Sequence, residues 1–86
     1  MKIKKKSLII IPVFNEELSL KGLIPYLNHF KRSEFIFIND GSTDGTNEVL
    51  SKYPFECIDI EENMGKGNAI SVGTEYAIEN EKKWII

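Results

Sequence analysis

The stretch Phe35-Ile-Phe-Ile-Asn-Asp-Gly-Ser-Thr-Asp-Gly-Thr46 decides how this chain is read. Its apolar start, Phe35 to Ile38, gives way at once to acidic, glycine and hydroxyl residues. The apolar run has the length and composition of a buried strand in a parallel sheet. The polar half cannot continue that strand, so it forms a loop at the strand's carboxyl end, where open α/β sheets bind ligands. Asp40 sits at this exit. Gly41 and Gly45 permit a tight turn or a close approach to a ligand. Taken alone, the stretch fits two readings: a ligand-binding loop, or a tight turn whose Ser, Thr and Asp residues cap the next helix.

The same pattern recurs on both sides. Ser7 to Pro12 predicts a first strand built on Leu8, Ile9, Ile10 and Ile11, consecutive and mostly β-branched. Pro12 is expected to end it, because proline cannot donate to a central ladder. Asn15 is a candidate N-cap for the helix that follows, and Glu16 and Glu17 suit the positive end of its dipole. Leu20, Leu23, Ile24 and Leu27 recur at the spacing of one apolar helical face. Pro25 interrupts that helix, which predicts a kink or break near Leu23 and Ile24. The second strand spans Glu34 to Asn39.

Asp44 or Thr43 is expected to cap a second helix from about Gly45 to Lys52, with Val49, Leu50 and Tyr53 on its apolar side and Pro54 as its stop. Phe55 to Ile60 predicts a third strand. A third helix runs from Lys66 to about Glu79. In it Ala69, Gly73 and Ala77 recur every four residues. Glycine inside a helix costs about 1 kcal/mol relative to alanine, so Gly73 points to close packing on a sheet. Trp84, Ile85 and Ile86 begin a fourth strand. The order β-α-β-α-β-α-β predicts a Rossmann-like three-layer α/β/α arrangement with a parallel sheet. If the strands are neighbours, the polar exits Phe14 to Glu17, Asn39 to Ser42 and Asn63 to Gly67 meet on one edge.

Composition narrows the classes. The chain has 86 residues, enough for one small domain with a thin core, and a net charge of −2. That balance does not favour nonspecific nucleic-acid binding. Lys2, Lys4, Lys5 and Lys6 read as a solvated lead-in to the first strand. The apolar run Leu8 to Ile11 is too short for a secretory or membrane-spanning segment. The single cysteine, Cys57, excludes an intrachain disulfide and reads as core. The single histidine, His29, reads as a surface residue. A reducing cytoplasmic setting fits this usage.

The loops carry specific chemistry. Asp40 is a fixed acceptor suited to a base N–H or ribose hydroxyls, and Glu16 can act likewise. Lys66, between Gly65 and Gly67 at a helix start, favours a phosphate there, or is an exposed lysine of a flexible loop. The P-loop pattern is absent. The Gly-x-Gly-x-x-Gly fingerprint also fails, because the glycine pair follows the third strand and Ile70 stands in the last position. There is no zinc pattern and no nucleophile elbow.

Ile10-Ile-Pro-Val-Phe-Asn-Glu-Glu17, Ile38-Asn-Asp-Gly-Ser-Thr-Asp-Gly-Thr46 and Glu62-Asn-Met-Gly-Lys-Gly-Asn-Ala-Ile70 together resemble family 2 glycosyltransferases. The closer likeness is to the branch with dolichyl-phosphate mannose synthase and other polyprenyl-phosphate sugar transferases. The resemblance implies the nucleotide-binding half of a GT-A fold, cut in its fourth strand, and a nucleotide-diphosphate sugar donor with uridine or guanosine. It implies that Pro12, Phe14 and Glu16 form the first nucleotide-binding segment and that Asp40 contacts base or ribose. Asn39 stands where the family usually has an aspartate. Gly41 joins this donor-binding set, and Lys66 falls near the donor phosphates.

In the family, the strand beginning at Trp84 leads into an Asp-x-Asp motif that binds a divalent metal, Mg or Mn, which neutralises the leaving diphosphate. The general base and the acceptor site lie further on. The resemblance therefore implies no catalytic residue and no metal ligand within residues 1–86, a single partial domain that binds donor nucleotide and is inactive alone. A noncatalytic nucleotide-binding module and a purely structural fragment are the competing readings. The expected acceptor of the parent enzyme is a polyprenyl phosphate or a glycan, at the inner face of the membrane. The fourth strand, at a sheet edge, is expected to invite self-association.

Overall fold

The computed structural model describes residues 7–27, 29, 31, 34–53, 55–80 and 83–85. The lysine-rich lead-in at residues 2–6, Pro54 and Ile86 lie outside them. The elements follow the expected order: β1 (Ser7–Val13), α1 (Glu17–Leu27), β2 (Phe35–Asp40), α2 (Thr46–Ser51), β3 (Cys57–Ile60), α3 (Lys66–Glu79) and β4 (Lys83–Ile85). The four strands form one sheet in the order β3-β2-β1-β4. Every pairing is parallel, with Ile11 opposite Phe37, Phe37 opposite Cys57 and Leu8 opposite Trp84.

Strand alternation divides the core into two layers. On one face Val13, Phe35 and Phe37 pack with Leu20, Ile24 and Leu27 of α1 and Val49 and Leu50 of α2. On the other, Leu8, Ile10, Ile36 and Ile38 pack with Ala69 and Ala77 of α3. The sheet is thus covered on both sides, which is why all six residues of β2 are buried. Gly73 belongs to the buried stripe of α3. A Cβ there would lie 2.5 Å from Ile10 Cγ2, so the expected close helix-to-sheet contact is present.

Four expectations need correction. β1 does not stop at Pro12; it continues to Val13, with Pro12 opposite Ile38. β4 pairs only with Ser7 to Ile9, so at Pro12 β1 is flanked by β2 alone among the described residues, and proline is tolerated as on an edge strand. α1 does not break into two pieces; it is one continuous helix with Pro25 inside it. Pro25 falls in the last turn, and Leu20, Ile24 and Leu27 anchor the helix on both sides of it. Leu23 stays 38% exposed and does not join that face. β3 begins at Cys57, not Phe55; Phe55 instead leaves the ladder to pack its ring against Phe35 and Phe37, with centroids 5.2 and 5.7 Å away.

Candidate functional site

The exits of β1, β2 and β3 converge at the carboxyl edge of the sheet. They enclose a cleft of about 450 Å³ whose walls include Pro12, Phe14, Glu16, Asp40, Asn63 and Lys66. Strand alternation places neighbouring exit residues on opposite faces of the sheet. Pro12 and Asp40 share the α3 face with Ile10 and Ile38, whereas Asn39 shares the opposite face with Phe35 and Phe37. The cleft therefore gathers Pro12, Phe14, Glu16, Asp40 and Lys66, while Asn39 and Gly41 do not line it. Phe14 presents a ring that is 43% exposed.

A lattice of hydrogen bonds fixes the first two loops against each other. Asn15 adopts a left-handed backbone with φ of 51°, a conformation asparagine tolerates better than most residues. Its Oδ1 accepts the Thr43 N–H at 2.7 Å, and its own N–H donates to Ser42 Oγ at 3.0 Å. Asn15 is therefore a brace between loops and not the N-cap of α1. The α1 start is capped from across the cleft rim instead: Glu16 N–H donates to Thr46 Oγ1 at 3.0 Å and Glu17 N–H to Asp44 Oδ2 at 3.4 Å. Reciprocally, Gly45 N–H donates to Glu17 Oε1 at 2.8 Å. The N-cap of α2 is Gly45, not the expected Asp44 or Thr43; Asp44, one residue earlier, accepts the Thr46 N–H on its Oδ1 at 2.8 Å. The Thr46 hydroxyl also donates to Asp44 Oδ1, and this contact is the main reason the Asp44 carboxyl lies below its ordinary value.

Asp40 holds the third loop. It is 3% exposed, and its carboxylate accepts Met64 N–H at 2.9 Å, Gly65 N–H at 3.0 Å and Asn63 Nδ2–H at 3.1 Å. Gly41, with φ of 66°, makes room for that loop: a Cβ there would lie 2.5 Å from the Glu62 carbonyl carbon. The close approach expected at Gly41 is thus to protein backbone. Gly65 turns with φ of 93° directly before Lys66, the first residue of α3. Among the described residues no ion pair engages Lys66.

Asn39 belongs to a different cluster. It is 2% exposed, and its Nδ2 donates to Asp59 Oδ1 at 3.1 Å and also to Asn47 Oδ1. An aspartate at position 39 would face the Asp59 carboxylate at hydrogen-bonding distance, so the amide is the side chain this neighbour requires. Cys57 stands beside the same carboxylate, 3.6 Å from Asp59 Oδ1. Burial first, and then the Asp59 charge, push its thiol up to about 12. Cys57 is only half-buried, so it lines the core edge rather than filling the core. Sequence reasoning did not single out Asn63, Asp59 or the bracing role of Asn15. Only their polar identity next to strand ends signalled them.

Among the described residues, no group of three or more His, Cys, Asp or Glu side chains is placed to hold a metal ion. Of the two cleft acids, Glu16 and Asp40, the second already accepts three hydrogen bonds from the third loop. The described residues do not fit a divalent cation. No helix among the described residues is long and apolar enough to cross a membrane.

A parallel sheet covered on both faces, with a cleft at its carboxyl edge, defines an α/β domain of the Rossmann-like class. The chain belongs to glycosyl transferase family 2, whose sequence pattern matches residues 8–86. It is similar to an uncharacterized protein of Methanocaldococcus jannaschii, 33% identical over 84 residues, covering 90% of this chain and 36% of that protein. It is also similar to the uncharacterized glycosyltransferase YkcC of Bacillus subtilis, 34% identical over 79 residues, covering 80% of this chain and 24% of that one. A third similarity is to poly-beta-1,6-N-acetyl-D-glucosamine synthase of Staphylococcus aureus, 40% identical over 52 residues, covering 56% of this chain and 13% of the synthase. The chain thus spans about a third or less of the length of these relatives. The Rossmann-like sheet agrees with the nucleotide-binding half of a GT-A fold.

Proposed function

We propose that this chain is the donor-binding part of a glycosyltransferase that uses a UDP- or GDP-sugar. The observation that carries this reading is the convergence of Pro12, Phe14, Glu16, Asp40 and Lys66 on one cleft. The cleft lies at the carboxyl end of β1, beside the point where the strand order reverses between β1 and β4. Open α/β sheets bind ligands at such positions. Lys66 and the α3 start supply an ammonium and main-chain N–H groups for the donor diphosphate. Phe14 offers an apolar wall to the base, and Glu16 an acceptor for ribose hydroxyls. Asp40, with three hydrogen bonds already accepted, retains room for about one more donor from base or ribose.

Transfer to a polyprenyl phosphate or a glycan, at a membrane face, is the proposed activity of the whole protein. The match to the YkcC glycosyltransferase supports transfer in general. A divalent metal, Mg or Mn, is part of the proposal for the whole protein. Self-association through β4 is proposed because that strand stands at a sheet edge among the described residues; a monomer mass independent of concentration would count against it. Activity is tested by incubating the whole protein with UDP- and GDP-sugars, Mg²⁺ and a polyprenyl phosphate, and measuring nucleoside diphosphate release. Acceptor-dependent release from one donor class supports transfer; no release from either contradicts it.

A further inference from the structure

We propose that Asp40 and Asn63 form a latch that sets the start of α3, which makes Asn63 a positioning residue for the phosphate side of the cleft. The latch has two halves. The Asp40 carboxylate accepts the Met64 and Gly65 N–H groups at 2.9 and 3.0 Å. The Asn63 amide then donates to Asp40 twice, to Oδ2 at 3.1 Å and to the main-chain oxygen at 3.3 Å. Gly41 completes the seat, because its missing side chain lets Glu62 and Asn63 lie directly on it. The latched segment ends at Gly65, the N-cap residue directly before α3. Gly65 has no side chain with which to cap that helix, and Asp40 is the side chain that holds the Gly65 and Met64 N–H groups.

The geometry makes a charge-specific demand at position 63. An amide there donates to a buried carboxylate. An aspartate of the same shape would place a second carboxylate about one hydrogen-bond length away, and like charges so close disfavour each other strongly. Shape alone would tolerate Asn63→Asp better than Asn63→Ala; the latch requires the opposite order. Asn63 is exposed, so neither variant threatens the core.

The effect on ligand affinity rests on reading the cleft as a donor site; the latch itself does not. The test compares the protein with its Asn63→Ala and Asn63→Asp variants. Amide hydrogen exchange is read at Met64 and Gly65, and affinities are measured for inorganic pyrophosphate, UDP, GDP and the free nucleosides. Hydrogen bonds to a charged group imply exchange about tenfold faster in Asn63→Ala, and faster again in Asn63→Asp. Pyrophosphate and diphosphate affinities should fall in the same order, with nucleoside affinity kept within about twofold. Unchanged exchange at both amides, or Asn63→Asp behaving like the parent protein, overturns the latch. Faster exchange with unchanged pyrophosphate affinity overturns the positioning role, as does a loss confined to nucleosides, which would make Asn63 a direct contact. If the parent protein binds no nucleotide or pyrophosphate, the donor reading fails, while the exchange data still decide the latch.

Discussion

Gly73 of α3 rests directly on Ile10 of β1: a Cβ added to the glycine would lie 2.5 Å from Ile10 Cγ2 and 3.2 Å from its Cδ1 and Cγ1. Ile10 is 1% exposed and sits on a strand with neighbours on both sides, so it has little room to yield. This contact sets how closely α3, and with it Lys66, approaches the sheet.

Gly73→Ala should therefore destabilise the protein. Helix propensity alone would favour alanine by about 1 kcal/mol. Overpacking costs about 1–3 kcal/mol, and so short a contact belongs at the upper end. The expected net loss is about 1–2 kcal/mol by urea denaturation. In an Ile10→Ala background the same substitution should become stabilising, because Cγ2 is gone. Stabilisation by Gly73→Ala in the parent protein would show that α3 sits further from the sheet.

Asn39→Asp should also destabilise, although it changes one side-chain atom. It replaces a donor to Asp59 Oδ1 with a second acceptor, and it does so at a buried position. The expected loss is about 1–3 kcal/mol at neutral pH. Most of it should return in the double variant with Asp59→Asn, whose amide can donate to the new carboxylate. A double-mutant cycle in chemical denaturation measures this coupling; additive losses would mean that the two side chains do not meet.

Stability should fall at both ends of the pH range, for different residues. The Cys57 thiol rises from 9.0 to about 12 in the folded chain, chiefly through burial and then through Asp59. A raised folded value contributes stability below the unfolded value, lost as pH climbs from about 9 through about 12. Cys57→Ala should flatten that alkaline limb. The Asp44 carboxyl moves the other way, below its ordinary 3.8, mainly through the Thr46 hydroxyl. Its contribution is present above that value and lost as pH falls through the lower folded one. Asp44→Asn should remove its part of the acid limb. Melting temperatures across pH check both; an alkaline limb unchanged by Cys57→Ala would contradict the first.

Much of this architecture was legible because hydrophobic pattern and turn chemistry agreed. The run Phe35 to Ile38 reads as a buried strand because both of its faces are covered, and the spacing of Ala69, Gly73 and Ala77 reads directly as a packed stripe. What failed depended on neighbours. Whether Pro12 ends β1 depends on how far β4 extends, which local sequence does not encode. Pro25 counts as a breaker by propensity, yet Leu20, Ile24 and Leu27 hold the helix through it. At the site, the convergence of Pro12, Phe14, Glu16, Asp40 and Lys66 follows from strand order and was visible in the motifs. The division of Asn39 and Asp40 between opposite faces follows from strand alternation and could have been read. The partners of Asn15 lie 27 to 29 residues away, and those of Asp40 lie 23 to 25 away. No local pattern announces such pairs.

The most direct test of the donor-cleft account is an NMR titration of the isotope-labelled protein with UDP and then GDP, with and without Mg²⁺. Saturable shifts at Phe14, Asp40, Gly65 and Lys66 are expected with one of the two nucleotides. Lys66→Ala should weaken that binding about tenfold, the worth of a charge-assisted phosphate contact. A dispersed spectrum with no shifts at these residues, at millimolar concentrations of either nucleotide, would contradict the account.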